Sequence, residues 1–183
     1  MTRPRFTLLV VASEDGFIAR HPADNPAGWA SAEEQALFLA AVDAADWSVM
    51  GRHTHEAADR PERRRIVFSS RGGGWKRPTQ LWLNPEGITP AALPGLVGHV
   101  HPMREGLILG GTAVHDWFHR HGAIDEVRLT IEPVRFGTGL AIFSGDGPQD
   151  PERAFTSRGH VRSDEEVLNA AGTRLLTLRP SGA

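Results

Sequence analysis

The residues best suited to chemistry follow the ends of three predicted strands. They form three short stretches, at residues 51–54 (GRHT), 69–71 (SSR) and 110–112 (GGT). An arginine presents a planar fork of N–H donors that matches a phosphate, and Ser70 adds a hydroxyl donor. In an open sheet, ligands bind in the crevice beyond the carboxyl ends of parallel strands. Together the stretches predict a phosphate-binding edge, although each residue taken alone is also an ordinary surface residue.

The third stretch has the clearest local pattern. Leu107–Leu109 is a short apolar run that predicts a buried strand. After Gly110 and Gly111 the apolar residues recur at helical spacing, at Val114 and Trp117. A strand that passes through two glycines into a helix brings bare backbone and free N–H groups up to a ligand, which suits a phosphate or a pyrophosphate. The alternative is a strand–helix turn that needs only a flexible backbone.

The elements that must position these residues alternate between strand and helix. Strands are predicted at 6–12, 46–50, 65–69, 80–83, 107–109 and 124–131, with a closing pair at 154–161 and 173–178. Residues 70–78 are rich in turn formers, and a helix is predicted to begin near Ser31. This order predicts an α/β sheet that is mostly parallel and ends in an antiparallel strand pair, in one domain over residues 1–183.

Composition excludes several classes of function. The formal net charge of −2 gives no argument for a nucleic-acid or membrane partner, and the absence of cysteine excludes a disulfide framework and a thiolate nucleophile. No apolar run approaches the roughly 20 residues of a spanning helix, so we expect a cytoplasmic protein. His115 and His119 have the i, i+4 spacing of zinc ligands. Because Asp116 and Arg120 accompany them, we expect a solvated helix face and no metal site.

Several segments resemble a known superfamily. Residues 49–56, 66–70, 107–111 and 127–130 resemble, in the same order, the signature segments of dihydrofolate reductases. Residues 13–18 and 136–143 instead resemble the C-terminal reductase domain of the riboflavin-biosynthesis deaminase/reductase. The resemblance covers roughly residues 6–143. It implies the three-layer sandwich of the dihydrofolate reductase-like fold, with helices on both faces of the sheet, and NADPH-dependent hydride transfer.

The resemblance also implies where NADPH binds. The implied contacts are the strand-end residues and two side chains that flank the nicotinamide, namely Ala12, Ile18, Gly51, Arg52, His53, Thr54, Ser69, Ser70, Arg71, Leu109, Gly110, Gly111, Thr112, Ala113 and Val114. Residues 13–28 correspond to the mobile loop that closes over the ring in folate reductases.

At the substrate end, Trp29, Glu34 and Phe38 keep the spacing of the pocket residues of folate reductases. The resemblance makes Glu34 a general acid for the substrate ring, supported by Thr130. One alternative is that Glu34 completes a capping box with Ser31 and points to solvent. Another is that Glu33, one position away, takes the acid role instead.

The implied function is an NADPH-dependent reductase that transfers a hydride to a C=N or C=O carbon of a small pyrimidine- or pterin-like substrate. A true dihydrofolate reductase is one alternative, and a non-catalytic nucleotide-binding module is another. The riboflavin enzyme usually carries a deaminase domain that this sequence lacks, so a deaminase would be a separate partner. A homodimer is compatible with the sequence.

Overall fold

The structure is a computed structural model that describes residues 3–182. Its strands in chain order are β1 Arg5–Ser13, β2 Phe17–Ala19, β3 Trp47–Gly51, β4 Arg65–Phe68, β5 Gly74–Arg77, β6 Gln80–Leu83, β7 Glu105–Ile108, β8 Glu126–Glu132, β9 Leu140–Ala141, β10 His160–Val167 and β11 Arg174–Pro180. Its α-helices are α1 Ala32–Ala44, α2 Arg52–Ala57, α3 Leu93–Val97, α4 Thr112–Arg120 and α5 Pro151–Thr156. Two 3-10 turns lie at Pro26–Gly28 and Pro90–Ala92.

Within the described residues, nine strands form one sheet in the order β10-β11-β8-β1-β7-β3-β4-β6-β5. The pairings from β8 across to β6 are all parallel, and the closing pair β10–β11 is antiparallel. The predicted sheet, mostly parallel with an antiparallel C-terminal pair, is therefore confirmed. The strand at the other side of the sheet, β5, is also antiparallel to its neighbour, and it lies inside residues 70–78, which were predicted to be turns. This strand is short, follows two glycines and is largely exposed, so it lacks the apolar alternation that marks a strand.

The centre of the sheet is β1, as its apolar sequence predicts. Leu8 and Ala12 are fully buried, and the strand pairs with β7 on one side and β8 on the other. On one face, α4 packs Val114, Trp117 and Phe118 into the core, with the rings of Phe118 and Phe6 4.9 Å apart. The predicted helical stripe of α4 is therefore the face that holds this helix against the sheet.

The predicted strand at 154–161 is wrong in its first half. Residues Pro151–Thr156 form α5, and β10 begins only at His160. Asp150 caps α5 by accepting a hydrogen bond from the Glu152 N–H, and proline occupies the first turn, where its missing N–H costs nothing. These two start signals outweigh the β-favouring residues that follow.

A two-strand ribbon fastens the loop after β1 to the loop after β8. It pairs β2 with β9 in antiparallel orientation. Gly139 is required beside it, because a Cβ at this position would lie 2.2 Å from the Ala19 carbonyl oxygen. The ribbon places the loops over the carboxyl ends of β1 and β8. Of the helices that the structure describes, none is long and apolar enough to cross a membrane.

Candidate active site

The three stretches predicted to bind phosphate lie at the ends of neighbouring strands. Residues 51–54 link β3 to α2, residues 69–71 follow β4, and residues 109–114 link β7 to α4. In the sheet, Val49 of β3 pairs with Ile108 of β7, and Gly51 pairs with Phe68 of β4. The Gly51 N–H donates to the Gly110 carbonyl oxygen at 2.8 Å. The fold therefore brings these stretches together at the carboxyl ends of the strands. Ala12 lies near the carboxyl end of the neighbouring strand β1, and Ile18 lies on β2, which follows it.

The two glycines before α4 have different surroundings. Gly110 has a φ of +88°, and a Cβ there would lie 3.1 Å from Nε2 of His115. A Cβ on Gly111 would meet no described protein atom within 4 Å. Packing inside the protein therefore explains the glycine at position 110. The glycine at position 111 borders open space at the start of a helix, which is where a ligand would approach.

The N-terminus of α4 is available to an anion. Gly111 is the N-cap and provides no side-chain acceptor for the free N–H groups of the first turn. The hydroxyl of Thr112, which was predicted to contact cofactor, donates to the Ala141 carbonyl oxygen at 2.6 Å. Thr112 therefore fastens the helix to the loop around β9, and only its backbone N–H remains for a ligand. Ala113 is exposed beside it, and Val114 is buried.

The basic side chains of this edge are exposed. Arg52 contacts His53 through Nη2 and Nε2 at 3.2 Å and lies 3.8 Å from the Glu56 carboxylate. Ser69 Oγ accepts a hydrogen bond from the Arg71 N–H at 3.4 Å. Among the described residues no carboxylate pairs with Arg71. Ser70 is exposed and Thr54 is half-buried. These side chains can turn towards a phosphate at the edge.

His115 contradicts the predicted solvated face of α4. It is 1% exposed, its Nδ1–H donates to the Ile142 carbonyl oxygen at 2.8 Å, and burial lowers its pKa to about 4. Nε2 is therefore an acceptor, and it has no partner among residues 3–182. The prediction failed because the loop around β9 covers this side of the helix, a contact that helical periodicity does not reveal. No three His, Cys, Asp or Glu side chains in the described part of the chain are placed to share a metal ion.

Asp15 is a buried residue of the site region that sequence reasoning missed. Its carboxylate accepts hydrogen bonds from Ser13 Oγ at 2.7 Å and from the backbone N–H groups of Phe136 and Gly137 at 3.1 and 2.7 Å. Burial raises the pKa of Asp15, but these donors outweigh burial and leave that pKa below its usual value. The loop after β1 is thus anchored at its beginning to the loop after β8.

Glu34 is buried, with 6% of its surface exposed. Its backbone N–H donates to Ser31 Oγ at 3.2 Å, so Ser31 caps α1 as predicted. The other half of the capping box is absent, because the Ser31 N–H donates to Glu132 Oε1 at 2.7 Å instead of to Glu34. Burial, followed by the charge of Glu132, raises the pKa of Glu34 to about 7. The alternative in which Glu34 points to solvent is therefore wrong.

Glu132, the last residue of β8, is the second carboxylate of this region and was not predicted. It lies two positions after Thr130, so the two side chains share one face of the strand, and both are buried. β8 alternates polar residues with Val127, Leu129 and Ile131, and Glu132 continues that alternation, so the strand sequence gives no specific signal for it. Because Glu132 pairs in register with Ser13 at the end of β1, the two carboxylates lie at the same sheet edge as Gly111.

The two predicted aromatic pocket residues are half-buried. Trp29 packs edge-on against Phe136 with ring centroids 4.9 Å apart. The Trp29 indole N–H is buried and has no acceptor among the described residues. Phe38 follows Glu34 by four residues on α1, which places both on one side of the helix. An unpaired indole donor and a buried carboxyl group can recognise a polar heterocycle.

Comparison with known proteins agrees with this architecture. A family model described as the RibD C-terminal domain matches residues 97–169, which include the Gly110–Gly111 turn and Glu132. A comparison with curated proteins found no significant sequence match.

Solved structures resemble nearly the whole chain. The RibD protein of Acinetobacter baumannii superposes with a TM-score of 0.72 at 16% identity, over 98% of this chain and 58% of that chain. A deaminase/5-amino-6-(5-phosphoribosylamino)uracil reductase of Thermotoga maritima gives 0.67 at 18% identity, over 97% and 57%. The dihydrofolate reductase of Enterococcus faecalis, in complex with NADP(H), gives 0.65 at 15% identity, over 98% of both chains.

This chain therefore spans somewhat more than half the length of the first two proteins. At these identities the likeness shows the fold, and the predicted dihydrofolate reductase-like fold is confirmed. The resemblance to that superfamily and to the riboflavin-pathway reductase domain is confirmed as well.

Proposed function

We propose that this protein is an NADPH-dependent reductase of the riboflavin-reductase type. It would transfer a hydride to a C=N or C=O carbon of a small pyrimidine- or pterin-like substrate. The observation that carries this proposal is the buried carboxyl group of Glu34, whose pKa of about 7 leaves it partly protonated at neutral pH. It lies at the same sheet edge as the glycine turn and the exposed arginines, so an acid and a phosphate-binding surface occur together.

The residues of the edge fit a phosphorylated dinucleotide. Gly111 leaves room where any Cβ would stand, and the first turn of α4 offers backbone N–H groups to a pyrophosphate. Arg52 after β3, and Ser70 and Arg71 after β4, would hold the additional phosphate that distinguishes NADPH from NADH. The Enterococcus faecalis relative, whose fold is the same, is complexed with NADP(H). When bound, this cofactor supplies the hydride.

Glu34 would supply the proton. A new C–H bond forms at the substrate carbon, the electron pair of the C=N or C=O bond moves to the nitrogen or oxygen, and that atom takes the proton of Glu34. Glu34 is left as a carboxylate and recovers a proton from water after the product leaves. The Trp29 indole N–H would donate to an acceptor of the substrate ring, with Phe38 packing beside it. Ala12 and Ile18 would flank the site of hydride transfer and exclude water.

A true dihydrofolate reductase is the second candidate. The observation in its favour is that Trp29, Glu34 and Phe38 keep the order of the folate pocket, and that Glu34 is buried as a folate-binding acid should be.

Oxidation of NADPH in the presence of each candidate substrate tests the proposal. Turnover with 5-amino-6-(5-phosphoribosylamino)uracil supports the riboflavin type, and turnover with 7,8-dihydrofolate supports the second candidate. If calorimetry detects NADPH binding but neither substrate is reduced, the protein is a nucleotide-binding module. Failure to bind NADPH at all overturns the proposal.

A further inference from the structure

The carboxylate of Glu132 joins three segments that are distant in sequence. Oε1 accepts from the Ser31 N–H at the start of α1, and Oε2 accepts from the Thr173 hydroxyl just before β11, each at 2.7 Å. Thr173 in turn accepts from the Asn169 amide at 3.0 Å. A carboxylate is an acceptor-only group, so donors at both oxygens hold Glu132 in one orientation. The N-terminus of α1, with Glu34 in its first turn, is thereby fixed against the end of β8.

Glu34 has different surroundings. No group among residues 3–182 donates a hydrogen bond to its carboxyl oxygens, and no basic side chain in that range forms an ion pair with it. The other nearby carboxylates already accept hydrogen bonds from other segments. Glu33 lies on the exposed side of α1, 3.2 Å from the Asn169 amide, and Asp15 is held by the loop after β8. Ser31 donates its N–H to Glu132 and accepts the N–H of Glu34, so the Glu132 carboxylate lies at the first turn of α1, which carries Glu34. Its charge is the second cause, after burial, that raises the pKa of Glu34.

We propose that Glu132 is a positioning residue, which places a negative charge beside Glu34 and so adds to the effect of burial in favouring the protonated Glu34 carboxyl group until the substrate takes the proton. This inference rests on the proposed function, because it assigns the origin of the proton that accompanies the hydride. A like charge disfavours ionisation of its neighbour, and low dielectric strengthens the effect. Two carboxyl groups in one site thereby take different roles, one as proton donor and one as fixed charge.

A titration of the full chain, labelled with ¹³C at the glutamate carboxyl carbons, tests this role without requiring turnover. NMR follows the Glu34 resonance, which Glu34→Gln identifies, and we expect its midpoint near pH 7. Glu132→Gln keeps an oxygen acceptor for the Ser31 N–H but removes the charge. In this variant the Glu34 midpoint should fall by about one pH unit. In a plot of kcat against pH, the decline on the alkaline side should move to lower pH by the same amount. The KM for NADPH should be unchanged.

The matched control is Glu33→Gln, which removes the same charge one residue away on the exposed face of α1. Its Glu34 midpoint should equal that of the wild type. A Glu34 midpoint that stays the same in Glu132→Gln would assign Glu132 to helix anchoring alone and overturn the inference. If Glu132→Gln does not fold, a titration of the wild type decides. Its Glu34 midpoint must lie near pH 7, and a midpoint at the ordinary value of 4.5 also overturns the inference.

The two proposals fail in different ways. If the Glu34 midpoint falls as expected but NADPH is not oxidised with either substrate, the carboxylate coupling stands and the reductase function fails. If NADPH is oxidised but the midpoint does not move, the reductase function stands and the role of Glu132 fails.

Discussion

Gly110 and His115 are fitted to each other: a Cβ on Gly110 would lie 3.1 Å from the buried Nε2 of His115. The neighbouring Gly111 has no such protein partner, since a Cβ there would meet no described atom within 4 Å. The two adjacent glycines of this turn therefore have different roles. Gly110 avoids a clash with His115, and Gly111 leaves space at the N-terminus of α4.

This difference predicts opposite outcomes for two alanine variants. Gly110→Ala should destabilise the protein by about 1–3 kcal/mol, because it combines a left-handed φ with a close contact to His115. Gly111→Ala should unfold at nearly the wild-type temperature but lose NADPH binding, since its methyl group occupies the space for the pyrophosphate. Thermal unfolding and calorimetry on both variants measure the two effects. Unchanged NADPH affinity in Gly111→Ala would leave the glycine pair with only a structural role.

The exposed guanidinium group of Arg52 predicts a preference between cofactors. Arg52→Ala should remove a charge-assisted contact worth about 1.5–3 kcal/mol and raise the Kd for NADPH far more than the Kd for NADH. Arg60→Ala is the control, because Arg60 is also exposed but lies beyond α2, away from the strand ends. It should bind both cofactors as the wild type does. Equal wild-type affinity for NADPH and NADH would contradict the phosphate role of this edge.

Glu34 is expected to act in the chemical step. Glu34→Gln should leave NADPH affinity nearly unchanged, because the proposed function assigns Glu34 to the substrate and not to the cofactor. It should lower kcat or kcat/KM by about a hundredfold if a proton is relayed. In the wild type, kcat should fall as the pH rises through about 7, where Glu34 loses its proton. Full activity of Glu34→Gln from acid to neutral pH would mean that water, and not Glu34, supplies the proton to the substrate.

The same residue predicts a pH dependence of stability that needs no substrate. A carboxyl group whose pKa rises from 4.5 in the unfolded chain to about 7 in the folded protein binds more protons when folded. Stability should therefore decline as the pH rises from 4.5 to 7, by up to about 3 kcal/mol from this group. Glu34→Gln should remove this decline, so its unfolding temperature relative to wild type should be higher at pH 8 than at pH 5. If the difference in unfolding temperature between Glu34→Gln and the wild type is the same at pH 5 and pH 8, the raised pKa of Glu34 is contradicted.

Much of the fold could be predicted from the sequence, because apolar runs and changes of apolar period mark where strands and helices begin and end. The apolar run of β1 predicts a central strand, and the change of period at Gly110–Gly111 predicts the β7–α4 connection. The grouping of the Gly51, Ser69 and Gly110 stretches at one edge follows from the parallel sheet, in which strand ends must meet. α5 was missed because the β-favouring residues that follow Asp150 and Pro151 were given more weight than these two helix-start signals. The cofactor, the substrate and the single domain stay predictions.

The tertiary structure decided the protonation and burial of individual side chains. Ser31 and Glu34 have the spacing of a capping box, and the sequence cannot tell whether the carboxylate returns to the helix end or enters the interior. Glu132, about a hundred residues away in sequence, takes the Ser31 N–H and leaves Glu34 buried beside its charge. His115 is likewise enclosed by the loop around β9, which local periodicity does not place against α4. Spacing along a chain specifies which residues share a face, but burial and electrostatics depend on contacts between segments that only the folded chain brings together.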